Sequence, residues 1–428
     1  MLQYDRVTQI TDFGPYVTKL ILPLPCEAGS GDISSDTFIV YAECRAEDSG
    51  TVRVKKDMLT GKETPMKGYP PIVDAYPCDE KGNRRPKSVY AAIELGESEL
   101  NNRIFAEVLI NTYVDNAYRI TQAKPLPGTE DDPETPVTGL VYDTLGEELC
   151  PDLDGWRYGV GSDQTCPLRY AYFEPKAEGK YPLVVWLHGA GEGGTDLRLV
   201  NTGNRVTAIS AEDIQSKLGG AAAILVPQSP TVWMDDGEEI LGRSNESIYV
   251  RPLKALIDEF IASRPQIDTE RIYIGGPSNG GFMTIRMLRD YPGFFAAGVA
   301  VCTPWYQENI TNEALAAIRQ TPVWLVHSKS DTIVPVYDSA LPLYHALKAA
   351  GAEVHMTLFG KLVDLTGRYR DAQGRPREFV GHFVWIPTYN DDVVSDIDGS
   401  RVMVDGIPVT LWEWVGKQRL QKNSRLAM

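Results

Sequence analysis

Residues 271–284 read RIYIGGPSNGGFMT. A short apolar run of strand character leads into Gly276-Pro277-Ser278-Asn279-Gly280, and a stretch that opens a helix follows. Strand, G-x-S-x-G, helix is the context in which this motif lifts a serine onto a tight turn at the end of a buried strand. The turn is so tight that a side chain at Gly276 or Gly280 is expected to strike neighbouring backbone. The serine hydroxyl is pushed out at the sheet edge, and the amino terminus of the following helix favours negative charge developing beside it. The motif alone occurs by chance in Gly-rich and Ser-rich loops; its flanks make Ser278 the candidate nucleophile.

Upstream, residues 183–195 read LVVWLHGAGEGGT, a buried strand ending in His188-Gly189 and a glycine-rich loop. Backbone N–H groups of such a loop can face an oxyanion, and the expected donors are the amides of Asn279 and Ala190. Glu192, in the same loop, is expected to serve structure. A serine hydroxyl is a weak nucleophile at neutral pH, so it needs a base within reach and an acid to orient that base. The chain offers five histidines. His188 braces the glycine-rich turn, His327 ends a strand, His345 falls in a helix and His355 lies inside a strand. His382 remains, in the loop sequence VGHF, and is the candidate base. Residues 323–335, VWLVHSKSDTIVP, carry Asp331 in a loop after a buried strand, which makes it the candidate acid. For its rivals Asp338 and Asp364, helix capping and solvation are sufficient explanations. The chain order serine, acid, histidine is that expected of an α/β hydrolase.

The texture of the chain changes along its length. Up to residue 124, short β-rich runs (17–24, 37–44, 87–95, 103–112, 117–122) alternate with Gly, Pro, Asp and Asn clusters, which predicts an all-β, immunoglobulin-like sandwich domain over residues 1–124. Residues 125–136, PLPGTEDDPETP, hold four prolines and four acids and read as a stiff, solvated linker. Over residues 137–428 strand and helix alternate, with strands expected at 168–173, 183–187, 222–226, 271–274, 296–301, 323–326 and 354–359 and helices at 250–263, 281–290 and 339–350. This predicts an α/β domain with a mostly parallel sheet.

A chain of 428 residues, 43% hydrophobic and 23% charged, has the make-up of a folded protein with room for two or three domains. No apolar run approaches the roughly 18–20 residues that span a bilayer. The formal net charge of −16 repels phosphate backbones and anionic headgroups, so nucleic acid and membrane insertion are excluded as the expected partners and a neutral small molecule is favoured. The first ten residues do not read as a secretory signal, so a cytoplasmic location is expected, or a secreted one if a signal was trimmed. The six cysteines show no CxxC spacing, so no zinc site is expected; free thiols are favoured, with a Cys150–Cys166 pair open for an exported protein.

HGAGEGG, PQSP followed by Trp233, GPSNGGFMT, HSKSDTIVP and GHFVW together resemble the esterase family related to polyhydroxybutyrate depolymerases and prolyl oligopeptidase catalytic domains, over about residues 168–420. The resemblance implies Ser278, Asp331 and His382 as a triad and the loop after His188 as the oxyanion hole. Bacterial members of this group often carry an amino-terminal immunoglobulin-like domain. Residues 361–380, a long polar insert between the last strand and the histidine, depart from the pattern. Trp233, Trp305, Tyr306 and Phe383 are expected to line a substrate pocket. The activity expected is that of a serine hydrolase cleaving carboxylic esters through an acyl-enzyme, a carboxylesterase that needs no metal or organic cofactor. A peptidase of prolyl-oligopeptidase type is the first alternative, although about 125 residues cannot build the propeller that gates those enzymes. A non-catalytic glycan- or protein-binding chain is the second. The acyl and alcohol specificity and the oligomeric state stay open.

Overall fold

The computed structural model describes residues 2–46, 48–56, 61–106 and 109–420. The chain divides into two compact units, Met1–Asp154 and Gly155–Met428.

The first unit is all β. Its strands show the period-2 pattern of a surface buried on one side: in Phe38–Cys44 the residues Phe38, Val40, Ala42 and Cys44 point inward while Ile39 is half exposed. The main sheet runs in the order Lys67–Gly68, Phe38–Cys44, Asn116–Gln122, Val141–Leu149, Leu2–Thr11, Gly14–Gly29, Lys87–Leu95, Ile72–Pro77. Val40 and Ile120, near one end of that order, share a core cluster with Leu22 and Ile93 near the other. The sheet therefore folds over on itself, and the layered β domain is built from one continuously bonded sheet.

Two sequence expectations need correction here. The first unit extends to Asp154, not residue 124, because Val141–Leu149 pairs parallel with Leu2–Thr11 and antiparallel with Asn116–Gln122. Residues 125–136 are consequently a loop inside the β unit and not a linker between domains. Leu126 is buried, and it exchanges two backbone hydrogen bonds of 3.0 Å with Val137. Composition misled because prolines and acids mark any solvated excursion, whether it joins two domains or two neighbouring strands. Buried Arg6 ties this added strand down: its Nη2 lies 2.7 Å from both Asp115 and Glu148. Buried Arg103 reaches the same two carboxylates, so neither buried guanidinium is left unpaired.

The second unit is an α/β fold. Its sheet runs Trp156–Val160, Arg169–Phe173, Ala223–Gln228, Tyr181–Trp186, Ile267–Pro277, Ala297–Val301, Val323–Ser328, Val354–Phe359. The first two strands pair antiparallel, and every strand from Ala223–Gln228 onward pairs parallel with its neighbours on that side. Tyr181–Trp186, Ala223–Gln228 and Val323–Ser328 are buried at all six positions, as expected for parallel strands covered on both faces. Helix Val250–Ala262 buries Val250, Leu253, Leu256, Ile257 and Phe260, a stripe at helical spacing that lies in the same core cluster as the strand residues Leu183, Val185, Leu225 and Ile274. The strand Trp156–Val160 and the short helix Asn312–Ile318 were not expected from sequence. All six cysteines carry free thiols, and among the described residues no helix is long and apolar enough to cross a membrane.

Candidate active site

In a parallel sheet the carboxyl ends of the strands share one edge, and ligand crevices form there. Ser278, Cys302 and Asp331 follow the ends of three consecutive strands, Ile267–Pro277, Ala297–Val301 and Val323–Ser328, and His382 lies beyond the fourth, Val354–Phe359.

Ser278 sits at φ 54°, ψ −115°, a conformation that residues with a side chain avoid and that persists only when the surroundings over-determine it. Here the Ser278 N–H donates to the Val301 carbonyl at 2.7 Å, and its own carbonyl accepts from Phe282 N–H at 3.0 Å as helix Asn279–Asp290 begins. The two flanking glycines have the role expected of them: a Cβ at Gly276 or at Gly280 would lie 2.1 Å from the Leu187 carbonyl oxygen. The serine turn is thus pressed against the end of the strand that feeds the glycine-rich loop.

That loop is held from inside. Ser229 N–H donates to His188 Nε2 at 3.1 Å, so Nδ1 carries the ring proton and donates to the Gly189 carbonyl at 2.6 Å. Burial pushes the His188 pKa down to about 4, which keeps the ring neutral as a brace. Gln228 Nε2 donates to the carbonyls of Glu192 and Asp196 at 3.0 and 2.9 Å. Glu192 is buried, and burial raises its pKa to about 7. Its carboxyl group packs so close to Gly189 and Gly203 that a Cβ on either would crowd it, at 3.1 and 2.7 Å from the nearer oxygen. Asn279 spends its side-chain oxygen on the Trp233 N–H at 2.5 Å. Its backbone N–H lies in the first helical turn, where no intrahelical acceptor exists, and half-buried Ala190 opens the turn Ala190–Glu192.

Asp331 is buried. Its Oδ1 accepts the N–H groups of Ile333 and Val334, both at 2.9 Å, and its Oδ2 accepts His382 Nδ1–H at 2.8 Å. Burial alone would raise its pKa; hydrogen bonds from His327 and His382 outweigh that and hold the carboxyl well below the usual carboxylate range. Gly381 brings the histidine loop in: a Cβ there would lie 2.3 Å from the Ser330 backbone, so only glycine lets the two loops meet this closely. Burial favours the neutral form of His382, but the Cys302 sulfur and the Asp331 carboxylate beside it outweigh that and raise its pKa above the ordinary imidazole value. The rival acids are engaged elsewhere. Asp364 accepts from Thr366 Oγ1 at 2.6 Å and Tyr369 N–H at 3.1 Å, and Asp338 lies in the turn Val336–Asp338. His355 Nδ1 meets Asp396 at 2.9 Å, away from Asp331.

The expected pocket residues divide. Trp233 and Trp305 have no exposed surface, which corrects their reading as pocket wall: Trp233 stacks at 5.0 Å on His188 and Trp305 at 5.9 Å on Phe282, so both are packing beneath the loops. Tyr306 and Phe383 keep surface; the Arg243 guanidinium lies 3.7 Å over the Tyr306 ring. The 361–380 insert is an ordered excursion, with Asp364 N–H donating to the Arg377 carbonyl and Phe379 N–H to the Leu362 carbonyl, and Arg368 anchored to Asn390 at 2.7 Å. Among the described residues no group of three or more His, Cys, Asp or Glu is placed to hold a metal ion. Two residues at the site went unread in the sequence, His327 and Cys302. The H-x-x-x-D spacing of residues 327–331 was the available signal for the first; Cys302 had none.

A sheet of this order with a serine on a strained strand-to-helix turn defines an α/β hydrolase. Two family models match the chain, Esterase Ig-like N-terminal domain over residues 3–133 and Phospholipase/Carboxylesterase over residues 169–363. The first unit thus carries the match to the esterase Ig-like domain and the second, with its α/β-hydrolase fold, the match to the phospholipase/carboxylesterase family. The crystal structure of a thermostable esterase superposes with a TM-score of 0.72 over 97% of this chain and 99% of that one, at 24% identity. Cutinase 2 of Thermobifida cellulosilytica is 28% identical over 149 residues, 33% of this chain and 52% of that protein. Cutinase cut1 of Thermobifida fusca is 28% identical over 149 residues, 33% of this chain and 42% of that protein. The chain thus spans about half the length of the curated relatives it matches.

Proposed function

We propose that the protein is a serine carboxylesterase in which Ser278 attacks the ester carbonyl, His382 takes the hydroxyl proton, and Asp331 holds the imidazolium. The observation that carries this reading is the 2.8 Å Nδ1–Oδ2 contact of His382 with Asp331. That contact fixes the tautomer in which Nδ1 carries the ring proton and Nε2 is the nitrogen able to accept one. The oxyanion is held by the N–H groups of Asn279 and Ala190, the acyl-enzyme forms as the alcohol leaves with the proton from His382, and water activated by the same histidine releases the acid. The carboxylesterase family match and the cutinase relatives support an ester as substrate.

An alkoxide is a better leaving group than an amine, so a triad acting on activated acyl groups should turn over esters first. On a panel of p-nitrophenyl esters beside matched anilides and peptide amides, kcat/KM is expected to be highest for a short- to medium-chain ester. A proline-containing peptide cleaved faster than every ester would move the protein to the peptidases.

The pH profile follows from the same pair. His382 is a base only when neutral, and its pKa lies above the ordinary imidazole value; kcat/KM should therefore rise with pH through a limb centred above about 6.5. Rates measured across that range on one soluble ester check this, and a limb at or below 6.5 contradicts the raised pKa.

A further inference from the structure

The Asp331 carboxylate has a second histidine on it. His327, the fifth residue of strand Val323–Ser328, is fully buried, with Nε2 3.2 Å from Asp331 Oδ2 and 2.9 Å from the Val334 carbonyl. A carbonyl oxygen only accepts, so Nε2 must carry the proton, and that one N–H is shared between the carbonyl and the carboxylate. Among the described residues Nδ1 is buried without a partner, so no contact there favours the opposite tautomer. Oδ2 thus receives donors from two imidazoles, His382 from the histidine loop and His327 from the strand beneath, while Oδ1 is closed by the N–H groups of Ile333 and Val334. Among the described residues, Asp331 faces His327, His382 and the Tyr306 hydroxyl, and His382 faces Cys302, Asp331 and the edge of Trp385.

We infer that His327 is a positioning residue for the hydrolytic reaction, holding the Asp331 carboxylate by a neutral Nε2–H donor so that Oδ2 is oriented toward His382. The inference rests on the Ser278–His382–Asp331 reading. A donor rigidly attached to the sheet fixes the carboxylate where a flexible loop would not. It also withdraws charge from Oδ2, which tempers how tightly Asp331 holds the His382 proton. Loss of the donor should therefore have two separate effects: a looser carboxylate, seen in kcat, and a more basic one, seen in the pH profile. A residue that only filled space would produce neither.

His327→Phe keeps the ring volume and removes the donor; His327→Gln retains an N–H close to the Nε2 position. The phenylalanine variant is expected to lose about 10-fold or more in kcat with KM nearly unchanged, and its acid limb should move up by roughly 0.5 pH unit. The glutamine variant should recover most of kcat and return the limb toward wild type. Nitrogen-15 shifts of the wild-type histidines should show His327 protonated at Nε2 and bare at Nδ1. These shifts decide the matter if the phenylalanine variant does not fold. A folded His327→Phe with kcat within about twofold of wild type and an unmoved limb, or an Nδ1–H tautomer at His327, overturns the inference. Asp331→Asn, run alongside, separates the two readings: retained activity there overturns the triad and this inference with it, whereas lost activity in Asp331→Asn with full activity in His327→Phe overturns the inference alone.

Discussion

Ser278→Ala should lower kcat by a factor on the order of 10⁴ or more and His382→Ala by a similar factor, with thermal unfolding unchanged in Ser278→Ala and the fold retained in both. The size follows from the way a triad works. Once either the nucleophile or its base is gone, only the oxyanion donors and substrate binding remain, so the double variant should be little worse than either single one. The fold should tolerate both changes. Ser278 keeps part of its surface and its backbone is held by the Val301 carbonyl and the Phe282 N–H, contacts that an alanine retains. A fluorophosphonate should label the wild-type chain readily, label His382→Ala only slowly, and fail to label Ser278→Ala. Near-normal ester turnover by Ser278→Ala would remove the serine from the mechanism.

Gly280→Ala is expected to be among the most damaging single methyl additions to the second unit. Inside an ordinary helix the change from glycine to alanine stabilises by up to about 1 kcal/mol. Here the new Cβ would lie 2.1 Å from the Leu187 carbonyl oxygen, 2.6 Å from the Leu187 carbonyl carbon and 2.8 Å from the His188 oxygen. All three are backbone atoms of the strand end that leads into the oxyanion loop, so no side chain can swing away to make room. Relief requires the helix and that strand end to separate, which should cost about 3 kcal/mol or more, or on the order of 6–12 °C in Tm. Activity should fall as well, because the Ala190 turn moves relative to Ser278. Gly360→Ala is the control: its Cβ would meet nothing within 4 Å, and melting should be unaffected. Differential scanning calorimetry of both variants checks the pair, and equal melting temperatures would show that the backbone contact can relax.

The candidate catalytic motifs were legible because each is a local property of the chain. A buried parallel strand must be apolar along its length, and the turn after it must use glycine wherever two backbones touch. Leu183–Leu187, Gly276–Gly280 and Val323–Asp331 therefore announce themselves in the residue types alone. Choosing His382 among five histidines also needed only chain order and loop context, and the structure places its Nδ1 on Asp331.

What was not legible depended on partners far away in sequence. Val141–Leu149 joins the β unit by pairing with Leu2–Thr11, about 140 residues upstream. Its residues VYDTLGEEL show no alternation because only Tyr142 is buried along the strand, and Glu148 reaches two buried arginines from the exposed side. Trp233 and Trp305 look like pocket residues in a sequence, since both follow strand ends. Whether a tryptophan there faces a crevice or lies beneath its floor is decided by what packs above it, here leaving neither with exposed surface. His327, on the strand, and Asp331, on the turn after it, stand four residues apart with no regular period between them, so the spacing is a faint signal and the folded loop is what brings the two side chains to 3.2 Å. Periodicity and turn chemistry, being short-range, determined the class of fold and the residues proposed to carry the reaction. Domain boundary, pocket wall and the support beneath the carboxylate were left to the tertiary structure, because burial and hydrogen-bond partnership belong to pairs of segments and not to any one of them.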